Sequence, residues 1–205
     1  MLNTPNVITI LRVLFVPAYL WAIYAHFSYA NQLACLFFII AGLTDLLDGF
    51  IARKYGLVTT LGKIIDPVAD KIVVYAAMVA LVSLQRLSGW IVILMLFRDF
   101  SVGALRDAAA QRGTIIAAGF WGKIKTVFQM VSLGFLIFYD SLIFLPLSAF
   151  GLYPGDDRLS IPADYTATPT FLIGMVLMYI ALAASIFSCV IYFKQYYKII
   201  INGEQ

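Results

Sequence analysis

Long apolar runs separated by short polar turns set the pattern of this chain. About 20 apolar residues are needed for a helix to cross a bilayer. Six runs approach that length, at roughly 8–27, 32–55, 64–84, 88–111, 121–146 and 168–193. Asn3-Thr4-Pro5-Asn6 precedes the first run and is rich in capping and turn residues. Pro17 inside that run predicts a kink. The second run is apolar only to about Leu43 and turns amphipathic through Lys54. The fourth carries Arg98, Asp99, Arg106 and Asp107, so it cannot face lipid all round. The longest polar stretch, 153–169, reads as a loop on the outer side. The pattern predicts an all-α integral membrane bundle of six transmembrane helices, a single domain over 1–205 with a short cytoplasmic segment at 1–7.

Composition sharpens this picture. The chain is 62% hydrophobic and 12% charged, with a mean hydropathy of +0.93. A soluble domain is about half apolar and about a quarter charged. Cys35 and Cys189 sit in apolar runs and read as buried or lipid-facing thiols rather than a disulfide. The first run has neither a charged flank nor a small-residue cleavage site, and reads as a retained segment. The net charge of +3 matters through its distribution. With both termini and the 2–3 and 4–5 turns in the cytoplasm, Arg53, Lys54, Lys63, Lys71, Arg112, Lys123, Lys125, Lys194 and Lys198 lie inside or near that surface. The opposite turns hold only Arg86 and Arg158. The positive-inside rule therefore gives an N-in/C-in topology. No basic arm interleaved with aromatics is present, which argues against a nucleic-acid partner.

Against this background, Asp45, Asp48, Asp66 and Asp70 stand out. Ionised groups in or near a bilayer are rare and mark function. Four of one sign repel one another and call for cations. Asp45, Asp48, Gly49 and Ala52 are spaced i, i+3, i+4 and i+7, one face of a helix, with Arg53 at its edge. Gly62, Asp66 and Asp70 form a second stripe at i, i+4 and i+8. The short connection between them predicts antiparallel neighbours whose acidic stripes meet near the cytoplasmic surface. Glycine and alanine leave room for a ligand to approach the backbone. Oxygen ligands in this number suit Mg²⁺, Mn²⁺ or Ca²⁺ rather than zinc. Two such ions would clamp the oxygens of a phosphoryl displacement, with a nucleotide diphosphate as a fitting partner. The plainer reading is a set of salt bridges to Arg53, Lys63 and Lys71. It accounts for any one aspartate, and poorly for four interleaved with small residues. A divalent-cation transporter would spread its acids through the membrane depth, and the chain has no internal repeat.

Read from Asp45 to Asp70, the stretch is D-x2-D-G-x2-A-R-x8-G-x3-D-x3-D. It resembles the signature of the CDP-alcohol phosphotransferase family at every position. Residues 3–9 with Arg12, 61–71, 98–106 and 122–126 are also similar to the bacterial members that use glycerol 3-phosphate. The resemblance implies a six-helix enzyme of the inner (cytoplasmic) membrane, usually a homodimer, with its active site at the cytoplasmic face. It implies that Asp45, Asp48, Asp66 and Asp70 are metal ligands for Mg²⁺, or Mn²⁺, two ions per site, and that Asp70 doubles as general base. By the same resemblance Gly49, Ala52, Arg53 and Gly62 line a CDP pocket, with Asn6 and Thr59 as further nucleotide contacts. CDP-diacylglycerol is the expected donor, attacked at its β-phosphorus by the acceptor hydroxyl with loss of CMP.

The acceptor is read from other cations. Arg98 and Arg106 lie two turns apart in the fourth run, and Lys123 and Lys125 open the fifth. Cations beyond those that CDP needs point to a second anionic group, an acceptor phosphate. Glycerol 3-phosphate fits. Inositol phosphate is the nearest rival, and serine- or choline-type acceptors fit less well. The plainer reading pairs Arg98 with Asp99 or Asp107 and leaves the lysines to follow the positive-inside rule.

Overall fold

Thr4 and Pro5 open the first helix, where a proline sacrifices no hydrogen bond because first-turn N–H groups have no partner within the helix. Pro169 opens the last helix in the same way. Between them the order is α1 (Thr4–Tyr24), α2 (Ala30–Tyr55), α3 (Thr60–Ser83), α4 (Gly89–Gln111), α5 (Phe120–Phe138) and α6 (Pro169–Asn202). The computed structural model describes residues 4–25, 27, 29–55, 60–111, 113, 119–138 and 169–202, and side chains for 11–25, 27, 29–44, 65–111, 113, 119–138 and 169–194. Among the described residues there are six helices and no strand. Helices α1 and α3 begin earlier than their apolar runs, and α6 continues past the sixth run to Asn202. Hydropathy marks the greasy part of a helix, not its capped polar ends.

Two helix ends show how the turns are made. At the end of α3, the Arg86 N–H donates to the Leu81 carbonyl and the Gln85 N–H to the Val82 carbonyl. This is a Schellman cap, and it puts Gln85 in the left-handed region at φ 58°, where glycine is the usual occupant. Beyond α4 that position is filled by Gly113, at φ 78°.

The chain divides into two units, Met1–Leu87 with Leu133–Gly174, and Ser88–Ser132 with Met175–Gln205. In the first, α1 packs on both α2 and α3. Tyr19 is fully buried there; its ring meets Phe38 edge-on, and its hydroxyl donates to the Val73 carbonyl at 2.8 Å. Buried Ala22, Ala34, Ala41, Ala69 and Ala77 let these helices approach closely. In the second unit, Val102, Leu105 and Ala109 of α4 pack against Tyr192 and Cys189 of α6. Trp121 of α5 stacks edge-on against Phe187, with ring centroids 4.8 Å apart.

Polarity is distributed in a way that water would penalise. Arg12, Lys125, Gln129, Ser132, Ser185 and Ser188 are buried, whereas Trp21, Tyr29, Ile93, Phe97 and Phe120 are exposed. Apolar exposure on this scale marks an interaction surface. Among the described residues, Pro169–Lys194 is the one helical stretch long and apolar enough to cross a membrane; Leu11–Tyr24 and Ala30–Thr44 are shorter apolar stretches.

Candidate active site

Asp66 and Asp70 occupy successive turns of α3, on one face. Asp66 is partly buried, and the Asp70 side chain is half exposed. The packing of α1 on α3 brings Arg12 to Asp70: the Arg12 guanidinium, 1% exposed, donates from Nη1 to Oδ1. Sequence reading had offered Arg53, Lys63 and Lys71 as salt-bridge partners and overlooked Arg12 as one. The available signal was a lone charge in the first apolar run.

Asp45, Asp48, Gly49, Ala52 and Arg53 lie on α2, Gly62 on α3 and Asn6 on α1, with side chains outside the described residues. Thr59 lies outside them altogether. The expected meeting of the two acidic stripes therefore falls outside the described residues. Among those described, no three His, Cys, Asp or Glu residues are grouped to hold a metal. Of the four aspartates expected as ligands, Asp66 and Asp70 have described side chains. Two carboxylates one turn apart, one of them open to solvent, fit a hard divalent cation that keeps part of its water shell.

A second constellation is built by α4, α5 and α6. Asp99 accepts from Arg98 Nη1 at 2.9 Å and from Lys125 Nζ at 2.8 and 2.7 Å. Arg98 Nη2 donates to Ser188 Oγ at 2.7 Å. The plainer pairing for Arg98 is thus realised, with Asp99, and it includes Lys125. Two cations on one carboxylate still leave a net positive charge. Gly122 lies beside Arg98, where a Cβ would stand in ordinary contact with Nη2 at 3.5 Å. Arg106 is held differently. Its Nη2 donates to Tyr192 Oη at 2.8 Å, and the guanidinium carbon lies 5.2 Å from that ring's centroid. Among the described residues, the buried Nε atoms of Arg98 and Arg106 have no hydrogen-bond acceptor. Lys123 is exposed and stands apart from Lys125, which is buried two residues on.

Sequence reading gave the sixth helix no polar part. Ser185, Ser188 and Tyr192 are nevertheless buried at i, i+3 and i+7, and two of them hold the arginines of α4. Helical spacing of hydroxyls inside an apolar run was the signal that could have found them.

The family model for CDP-alcohol phosphatidyltransferase matches residues 2–200, and the chain belongs to that family. It is 35% identical over 168 residues to the CDP-diacylglycerol–glycerol-3-phosphate 3-phosphatidyltransferase of Bacillus subtilis, covering 75% of this chain and 87% of that one. The Haemophilus influenzae protein of the same name is 41% identical over 140 residues, 66% of this chain and 75% of its own. A probable phosphatidylglycerophosphate synthase of Mycobacterium tuberculosis is 38% identical over 149 residues, 71% of this chain and 68% of its own.

Proposed function

We propose that the protein transfers the phosphatidyl group of CDP-diacylglycerol to glycerol 3-phosphate, forming phosphatidylglycerophosphate and releasing CMP. Family membership and the Asp45–Asp70 signature support the reaction class, and the names of the relatives support the acceptor. The observation that carries a phosphate-bearing acceptor is the pair of buried Nε–H groups on Arg98 and Arg106. A buried donor without an acceptor costs about 1–3 kcal/mol. A phosphate oxygen removes that cost and meets the net positive charge around Asp99.

In this reading Asp45, Asp48, Asp66 and Asp70 hold two Mg²⁺ ions, with Mn²⁺ as a substitute. When bound, the ions polarise the diphosphate and offset charge on the departing CMP. Asp70 takes the proton of the acceptor hydroxyl as its oxygen bonds to the β-phosphorus and the bond from that phosphorus to CMP breaks. Arg12 fixes the direction of the Asp70 carboxylate. Gly49, Ala52 and Gly62 leave room for the cytidine diphosphate, Arg53 balances its charge, and Asn6 and Thr59 contact the nucleotide. Arg98, Arg106, Lys123 and Lys125 hold the acceptor phosphate.

The same reading makes 1–205 a single membrane domain with six spans, N-in/C-in, in the inner membrane, with 1–7 and the active site at the cytoplasmic face and 153–169 outside. It works as a homodimer. The mean hydropathy of +0.93 and the exposed Ile93, Phe97 and Phe120 support a lipid surround. An acceptor panel tests the proposal: purified protein with CDP-diacylglycerol and Mg²⁺ releases CMP with glycerol 3-phosphate far faster than with inositol phosphate or serine. A preference for either of the other two would overturn the acceptor assignment. Metal-dependent ion uptake without CMP release would overturn the reaction class.

A further inference from the structure

We infer that Tyr192 is a positioning residue for the acceptor phosphate, its hydroxyl tying Arg106 of α4 to the start of α5. The inference rests on the reading of Arg106 as an acceptor contact and goes beyond it, because neither charge nor motif singles out a tyrosine in an apolar helix.

The Tyr192 oxygen accepts from two donors on two elements, Arg106 Nη2 at 2.8 Å and the backbone N–H of Gly119. The second donor stands immediately before α5, the helix that carries Lys123 and Lys125. One hydroxyl therefore sets the separation between the cation of α4 and those of α5. The oxygen is itself well placed. Tyr192 is 4% exposed, with its ring packed on Val102, Leu105 and Ala109. The same ring lies under the Arg106 guanidinium, so the arginine is gripped at two points. Gly119 fits the hydroxyl by lacking a side chain: a Cβ there would come within 3.3 Å of Tyr192 Oη.

The choice of a neutral partner has a chemical consequence. Arg98 and Lys125 share the charge of Asp99, whereas among the described residues no carboxylate pairs with Arg106. A phenol oxygen orients a guanidinium without cancelling its charge, which stays available to an anion. A carboxylate at position 192 would fix Arg106 equally well and remove its use.

Tyr192→Phe isolates the hydroxyl, since it keeps the packed ring and the cation–π contact. Steady-state kinetics of the purified full chain should show the KM for glycerol 3-phosphate raised about tenfold, as for loss of a hydrogen bond to a charged group, with the KM for CDP-diacylglycerol unchanged. Selectivity for glycerol 3-phosphate over glycerol should fall in parallel. A variant that was merely loosened would lower activity toward both substrates, and its melting curve would report it. Arg106→Ala should raise the same acceptor KM, and Arg106→Ala/Tyr192→Phe should raise it by less than the two single effects combined, because Tyr192 acts in large part through Arg106. An unchanged acceptor KM in Tyr192→Phe, or effects that add in the double variant, would overturn the inference while leaving Arg106 as an acceptor contact. An unchanged acceptor KM in Arg106→Ala would overturn both.

Discussion

Lys125 and Asp99 form a two-pronged ion pair, with Nζ 2.8 and 2.7 Å from the two carboxylate oxygens. Lys125 is 5% exposed and Asp99 15%, and Arg98 shares the same carboxylate at 2.9 Å. Asp99 is therefore the counter-charge that makes the buried Lys125 and the partly buried Arg98 tolerable. Removing one partner of a buried pair is far more damaging than the pair's net worth, because the remaining charge keeps its desolvation penalty. Asp99→Ala should destabilise the protein by about 3–5 kcal/mol, and Asp99→Asn by less, since an amide oxygen still accepts from Lys125. Thermal unfolding in detergent micelles measures both. Equal, small losses would mean that the cations are solvated.

Asp70 carries the chemical assignment most directly. Asp70→Asn keeps size and helix position while removing the proposed base and the proposed charged metal ligand. Turnover should fall by about 10²–10⁴-fold, the range for a lost general base, with the protein still folded. The melting temperature should drop modestly, because the buried Arg12 loses a counter-charge. CMP release within a few-fold of wild type would remove Asp70 from the mechanism.

The α3 cap offers a gain in stability. Gln85 adopts φ 58°, a conformation that costs a residue with a Cβ roughly 1–2 kcal/mol. Gln85→Gly removes that strain and gives back part of it in unfolded-chain entropy. A net stabilisation of about 0.5–1 kcal/mol is expected, read as a higher melting temperature with unchanged kinetics. A lower melting temperature would show that the Gln85 side chain contributes more than its backbone costs.

Overpacking gives the opposite effect at Gly174. A Cβ there would lie 2.9 Å from Leu136 Cγ and 3.2 Å from Phe135 Cβ. Gly174→Ala should cost about 1–3 kcal/mol; Leu136→Ala empties a fully buried site, and the two together should cost less than the sum of the single losses. Strictly additive losses would mean that the close approach is not the cause.

Much of the fold was legible in the chain because its helices are written in long apolar runs. All six runs correspond to helices among the described residues, and Pro5 and Pro169 stand where helices begin. The acidic motif was legible because charge is rare in this chain. What was not legible depended on which apolar faces meet. Arg12 looked like an isolated charge until α1 packed on α3 and delivered it to Asp70. Ser188 and Tyr192 contribute little to hydropathy, so α6 read as plain membrane filler, yet they hold Arg98 and Arg106. The competition for Arg98 between Asp99 and Asp107 could not be decided by spacing, since both are on its own helix. Lys125, arriving from α5, makes Asp99 the shared partner.

The proposed transfer reaction couples three quantities in one assay. With purified protein, CDP-diacylglycerol and glycerol 3-phosphate, CMP and phosphatidylglycerophosphate should form in equal amounts, stop when EDTA removes divalent ions, and resume with added Mg²⁺. CMP formation that continues unchanged in EDTA, or that proceeds without an equal yield of phosphatidylglycerophosphate, would contradict it.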